Sequence, residues 1–153
     1  MKLESSAFRE GQPIPQQYSR DGADTSPPLS WSGVPPGTRS LALICDDPDA
    51  PRGTWVHWVY YDLPPSVTSL PPGVRKAERP SSGGVQGRND YKETGWGGPG
   101  PPKGHGVHHY NFRLSALDRE LGLSPGATKA EVESAMQGHV LAEAKLTGTY
   151  RRD

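Results

Sequence analysis

The sequence holds a single cysteine, Cys45, so no disulfide can close within the chain, a composition that fits a reducing compartment. Cys45 lies in the apolar run SLALIC with no basic neighbour to lower its pKa, and reads as a small buried hydrophobe, not a nucleophile. Net charge is missing too: 17 Lys and Arg balance 17 Asp and Glu. No overall field draws a polyanion, and nucleic acid is not expected as a partner. The opening MKLESSAFREGQPIP has no apolar signal core, and no later run approaches the length of a membrane span. A soluble, cytoplasmic protein with no integral membrane segment is the expectation. No G-x-S-x-G elbow occurs, and the glycine-rich stretches GGVQGRND and GWGGPGPPKG lack the spacing of a P-loop or a Rossmann turn. No cofactor is implied.

What the chain has in quantity is turn chemistry and aromatic mass. Nineteen glycines and seventeen prolines sit beside four tryptophans and six tyrosines in 153 residues. The aromatics need a packed interior, so the glycine and proline read as loops of a strand-rich fold and not as disorder. The length suits one domain, residues 1–153. Residues 40–45, 54–63 and 107–117 read as strands. Residues 1–38 read as short extended pieces between turns, and 64–106 as mostly loop, a length that is usually functional or disordered. One helix is predicted over 128–137: Thr128 and Glu131 form a capping box, Val132, Ala135, Met136 and Val140 follow at helical spacing, and Gly138 ends it. The tail EAKLTGTYRR reads as a final strand. This order predicts a mostly β fold with little helix.

Strand periodicity then sorts the histidines. In TWVHWVYYDL, strict alternation puts Trp55, His57, Val59 and Tyr61 on one face and Thr54, Val56, Trp58 and Tyr60 on the other. Both faces are apolar, which predicts a central strand. In VHHYNFRLSAL, His108, Tyr110, Phe112, Leu114 and Ala116 share one face, so His108 points inward and His109 outward. His57 and His108 each open an apolar face after a proline-stiffened loop, Asp47-Pro48-Asp49-Ala50-Pro51 in one case and Gly100-Pro101-Pro102-Lys103-Gly104 in the other. Proline fixes φ and lowers the entropy lost on ordering, so such loops hold a pre-shaped pocket at low cost. Metal binding by His105, His108, His109 and Asp47 is not expected, because His108 and His109 point to opposite faces. His105 and His109 read as loop and surface residues.

These blocks carry a resemblance. DPDAP, W-x-H, Gly87-Arg88-Asn89-Asp90-Tyr91, and Gly100 to Gly104 followed by His108 and Tyr110 resemble the phosphatidylethanolamine-binding protein family. The closer likeness is to its prokaryotic, Raf-kinase-inhibitor-like branch. SPPLSW and GHVLAEAKLTGTYRR extend the similarity over nearly the whole chain. The resemblance implies a large antiparallel sheet packed on a smaller one, with one or two short peripheral helices. It also implies a cavity that accepts phosphate-like anions or phospholipid headgroups, lined by Asp47, Asp49, Trp55, His57, Pro102, His108 and Tyr110. The long C-terminal helix of animal members is lacking, so their membrane and kinase partnerships transfer poorly. WVHW also has valine where some members carry a second adjacent histidine.

Three functions follow as expectations. The first is a non-enzymatic anion-binding module that regulates a protein partner through its loops. In that module Asp47 is expected to orient or charge His57 or His108, whose other nitrogen faces the anion, with the Tyr110 O–H as a further donor. The second is a hydrolase using an Asp–His pair as general base. The third is an interaction protein whose pocket is vestigial and whose 64–106 loop binds a partner. An exposed strand edge would permit a homodimer.

Overall fold

The computed structural model describes residues 1–153. Five strands, β3 (Ser40–Asp47), β4 (Trp55–Leu63), β6 (Val85–Gln86), β7 (His108–Leu117) and β8 (Val140–Tyr150), form an antiparallel sheet in the order β6-β4-β3-β7-β8. A smaller antiparallel sheet, β1-β2-β5, comprises β1 (Lys2–Glu4), β2 (Leu29–Ser32) and β5 (Ser69–Leu70). The mostly β expectation holds. The sheets pack face to face: Leu3, Trp31 and Leu70 of the small sheet share one buried cluster with Leu43, Tyr60, Phe112 and Leu146 of the large one. The opposite face of the large sheet is covered by α1 (Lys129–Met136), whose Val132 and Met136 meet Ala42, Ile44, Val59 and Tyr61.

Local chemistry explains the boundaries. Thr128 caps α1 by accepting from Glu131 N, while Glu131 Oε1 accepts from Thr128 N at 3.2 Å; such caps contribute about 1 kcal/mol. Gly138, at φ +79°, stops the helix and turns the chain into β8. Along β3 the alternation of faces runs two residues beyond the apolar run. Asp46 therefore turns toward α1, where Lys129 Nζ lies 2.7 Å away, and Asp47 falls on the opposite face, toward the small sheet.

Two expectations about β4 need correction. The central strand is β3, whereas β4 has a strand on its outer side only at Tyr60 and Tyr61. Its outer edge is otherwise occupied by the following loop, through Gly87 N to Val59 O, Asp90 N to Val56 O and Gly97 N to His57 O. The two core clusters bury β4 on both faces, Trp58 and Tyr60 toward the small sheet and Val59 and Tyr61 toward α1, which is why its sequence looks central. Strict alternation also fails. The pairing with β3 steps from Cys45 opposite Trp58 to Asp46 opposite Val56, so His57 has no partner residue. This β-bulge re-aims His57: it leaves the side of Val59 and Tyr61 and packs on Trp96 and Tyr110, with ring centroids 6.2 and 5.0 Å away.

Candidate functional site

The bulge brings three strands to one recess. His57 of β4 and His108 of β7 lie on strands separated by β3, not on adjacent strands, and Asp47 ends β3 between them. A cavity of about 210 Å³ opens there, lined by Asp47, Trp55, His57, Pro102, His108 and Tyr110, together with Ala50, Pro51, Tyr91, Gly100 and Pro101. Six of the seven expected residues thus meet. Asp49 does not: its Oδ2 accepts from the His109 backbone N at 2.8 Å and from His109 Nδ1 at 2.7 Å, on the exposed side of the turn. Reversal of the chain at Pro48 takes Asp49 out of register with Asp47. Asp47 holds that turn, with Oδ1 accepting from Asp49 N at 2.7 Å.

Each ring has a defined hydrogen-bonding role. A carbonyl oxygen can only accept, so His57 Nδ1, 2.6 Å from Gly97 O, carries the proton. Asp47 orients His108, not His57: Oδ2 lies 2.6 Å from His108 Nδ1. The other His108 nitrogen, Nε2, meets His105 Nδ1 at 2.6 Å instead of facing the cavity. His105, expected as a plain loop residue, is therefore the outer member of an Asp47–His108–His105 chain. Its signal was a three-residue separation from His108 across Gly106, whose φ of +92° lets the loop fold back. With both ring nitrogens in use, His108 presents no free base to the cavity.

The remaining polar groups differ in state. Tyr110 is fully buried, and its hydroxyl is the one buried side-chain polar atom in the chain without a partner. Burial pushes that hydroxyl well above its ordinary pKa, with the Asp47 charge adding to the effect, so it remains a protonated donor. Tyr91, which belongs to the family-like GRNDY motif but not to the expected lining, donates to Gly98 O at 2.9 Å and lies edge-on to Trp55, 5.4 Å between centroids. Trp55 is 37% exposed and forms the rim. Arg20 Cζ sits 4.0 Å over the Tyr91 ring, and its Nη1 is held by Asp24 and Glu93. A larger groove of about 590 Å³ between β1 and β8 is lined by charged side chains, including Lys2, Glu4, Arg9 and Lys145, and has no buried unpartnered group.

The family follows from direct comparison. A model of the phosphatidylethanolamine-binding protein family matches residues 4–151. The chain belongs to that family. Among relatives, the UPF0098 protein of Methanothermobacter thermautotrophicus is 55% identical over 152 residues, covering 99% of each chain. Among solved structures, a putative phosphatidylethanolamine-binding protein homolog from Chlamydia trachomatis superposes with a TM-score of 0.90 at 43% identity, covering 99% of this chain and 97% of the other. YbcL of E. coli, a member of the same family, gives 0.91 at 35% identity, covering 99% and 98%. No helix here is long and apolar enough to cross a membrane. In this phosphatidylethanolamine-binding protein family member the two cavity imidazoles are committed differently: His108 is closed into a chain with Asp47 and His105, and His57 is left open at Nε2.

The open ring has a measurable signature. Burial, with the ring 2% exposed, lowers the His57 pKa below its usual 6.5, and the Gly97 carbonyl and the Asp47 charge offset this only in part. The unfolded ring takes its proton near pH 6.5, while the folded ring stays neutral to lower pH. The stability this secures is whole above that pH and is lost as pH falls from the unfolded toward the folded pKa. Wild type should lose up to about 1.4 kcal/mol per pH unit more than His57→Gln in that window. Urea denaturation of both proteins at stepped pH checks this; parallel stability curves would remove His57 as the source.

Proposed function

We propose that the protein binds a small oxyanion, free or carried on a phosphorylated headgroup, in the Asp47–His57–His108–Tyr110 cavity, and does not turn it over. One observation carries this reading: a buried hydroxyl with no acceptor, in the wall of a cavity of ligand size. Leaving a buried donor unsatisfied costs about 1–3 kcal/mol, a cost that a bound oxygen removes. Proline on two sides of the mouth, at Pro51 and at Pro101 and Pro102, gives the cavity a fixed shape. The family's name, phosphatidylethanolamine-binding, supports a ligand that carries a phosphate group.

The hydrolase reading is less well supported, since the Asp47–His108 pair points its remaining nitrogen at His105 and not at a substrate. Any regulation of a protein partner would, on the binding reading, pass through the loops that form the rim, Ala50–Pro51 and Gly100–Pro102.

The test is calorimetric titration of inorganic phosphate at about pH 6 into wild type and Tyr110→Phe. A hydrogen bond to a charged group contributes about 1.5–3 kcal/mol, so the variant should bind roughly 10- to 100-fold more weakly. Unchanged affinity in a folded variant would overturn the reading. Phosphoester turnover that Tyr110→Phe leaves intact would favour an enzyme instead.

A further inference from the structure

The hydrogen-bonding pattern of the cavity specifies more than an anion; it specifies where the ligand's own proton sits. On the binding reading above, His57 is the decisive residue. Its Nδ1–H is spent on Gly97 O, and Nε2 has no partner in the chain. A neutral ring protonated at Nδ1 presents a lone pair at Nε2, which accepts and cannot donate. Since His57 is nearly fully buried yet lines the cavity, that lone pair is left to whatever occupies it. Across the recess, 5.0 Å away between ring centroids, stands the tyrosine with the unpartnered hydroxyl, a donor. The cavity therefore offers one acceptor and one donor side by side.

Charge points the same way. No lysine or arginine lines the cavity, and its one carboxylate, Asp47, has both oxygens engaged, by Asp49 N and His108 Nδ1. A fully deprotonated dianion would meet a lone pair and a carboxylate without a fixed cation. An oxyacid that keeps one proton meets a complementary pair: its O–H donates to His57 Nε2, and its bare oxygen accepts from Tyr110.

We propose that the cavity selects oxyacids by their retained proton, taking a phosphomonoester or phosphate as its P–OH-bearing monoanion in preference to sulfate or to a phosphodiester. Sulfate has the shape of phosphate but holds no proton near neutral pH. A phosphodiester, the form in a phospholipid, has lost the second O–H to esterification. Each would leave His57 Nε2 facing an oxygen lone pair, unless the buried ring were forced to take up a proton. The titratable groups that surround His57 are Asp47 on β3, Tyr91 in the loop after β6, and Tyr110 and His108 on β7, with Asp24 and Asp46 farther out.

Calorimetric titration of the full chain at about pH 5.5 with methyl phosphate, dimethyl phosphate and sulfate tests this. Methyl phosphate should bind at least about tenfold more tightly than either of the others, the penalty for an unsatisfied buried acceptor. Its affinity should then fall by about tenfold per pH unit above its second pKa, roughly 6 for a phosphomonoester. In the methyl phosphate complex, the ¹⁵N shift of His57 Nε2 should be that of an unprotonated, hydrogen-bond-accepting nitrogen. His57→Asn, whose amide can donate as well as accept, should bind all three ligands within about threefold of one another. Equal binding of the three by wild type, or a doubly protonated His57 ring in the complex, would overturn the proton selection while leaving oxyanion binding intact. Failure of all three to bind would overturn the binding reading, and this inference with it.

Discussion

Gly98→Ala is expected to destabilise the protein by about 3 kcal/mol or more. The reason is contact and not backbone conformation. A methyl at Gly98 would overlap the carbonyl oxygen of Tyr18 and lie 2.6 Å from Asp24 Oδ1 and 3.0 Å from Ser19 Cα. Two of those three atoms are main chain and cannot rotate aside. The Tyr18 carbonyl also accepts from Trp96 Nε1 at 3.0 Å, and Asp24 Oδ1 accepts from Gly98 N at 2.7 Å. Relieving the overlap therefore disturbs the Trp96 side of the core and the Tyr91 bond to Gly98 O in the cavity wall. Gly104→Ala is the control. Its φ is +72°, but nothing lies within 4 Å of an added Cβ, so it should cost only about 1 kcal/mol of conformational strain. Urea midpoints of the two variants decide the matter. If Gly98→Ala were no worse than Gly104→Ala, close packing would not be what requires glycine in the GWGG stretch.

Local patterns in the sequence decide some elements of the fold, and long-range pairing decides the rest. The inward side of β7 was legible because His108, Tyr110, Phe112, Leu114 and Ala116 alternate without interruption through nine continuously paired residues, His108 to Ala116. The helix was legible because its cap and stop are local, Thr128 with Glu131 and then Gly138. Around the cavity, local rules compete with long-range pairing. The shift of one residue at His57 arises from how β4 meets β3 between Cys45 and Asp46, and nothing within WVHW announces it. The alternation gave His57 the wrong companions, yet the resemblance placed it in the site, and the bulge reconciles the two. Asp49 went astray for the reverse reason. The family motif carried Asp47 and Asp49 as a pair, but the proline between them turns the chain, so one faces the recess and the other holds His109. His105 escaped notice because its role requires the Gly104–Gly106 loop to close over His108, a contact set by tertiary structure and not by spacing alone.

Asp47→Ala should cost about 2–4 kcal/mol of stability, and Asp47→Asn less than half as much. Asp47 is 3% exposed and serves two donors, Asp49 N and His108 Nδ1. Alanine removes both acceptors at once and leaves the imidazole N–H of a ring 1% exposed with no partner. Asparagine keeps an oxygen for Asp49 N and turns its NH₂ toward His108. The ring can answer by changing tautomer: Nδ1 then accepts, Nε2–H donates to His105 Nδ1, and the His105 proton moves to its exposed Nε2. Every bond in the chain survives with its direction reversed, which is possible only because His105 is the last member and can exchange a proton with water. Chemical denaturation gives the two stabilities, and ¹⁵N spectra of His105 and His108 report the tautomers. In wild type both rings should carry the proton on Nδ1, and in Asp47→Asn both should carry it on Nε2. A loss in Asp47→Asn equal to that in Asp47→Ala, or tautomers unchanged between wild type and Asp47→Asn, would mean that the three side chains touch without acting as one hydrogen-bonded relay.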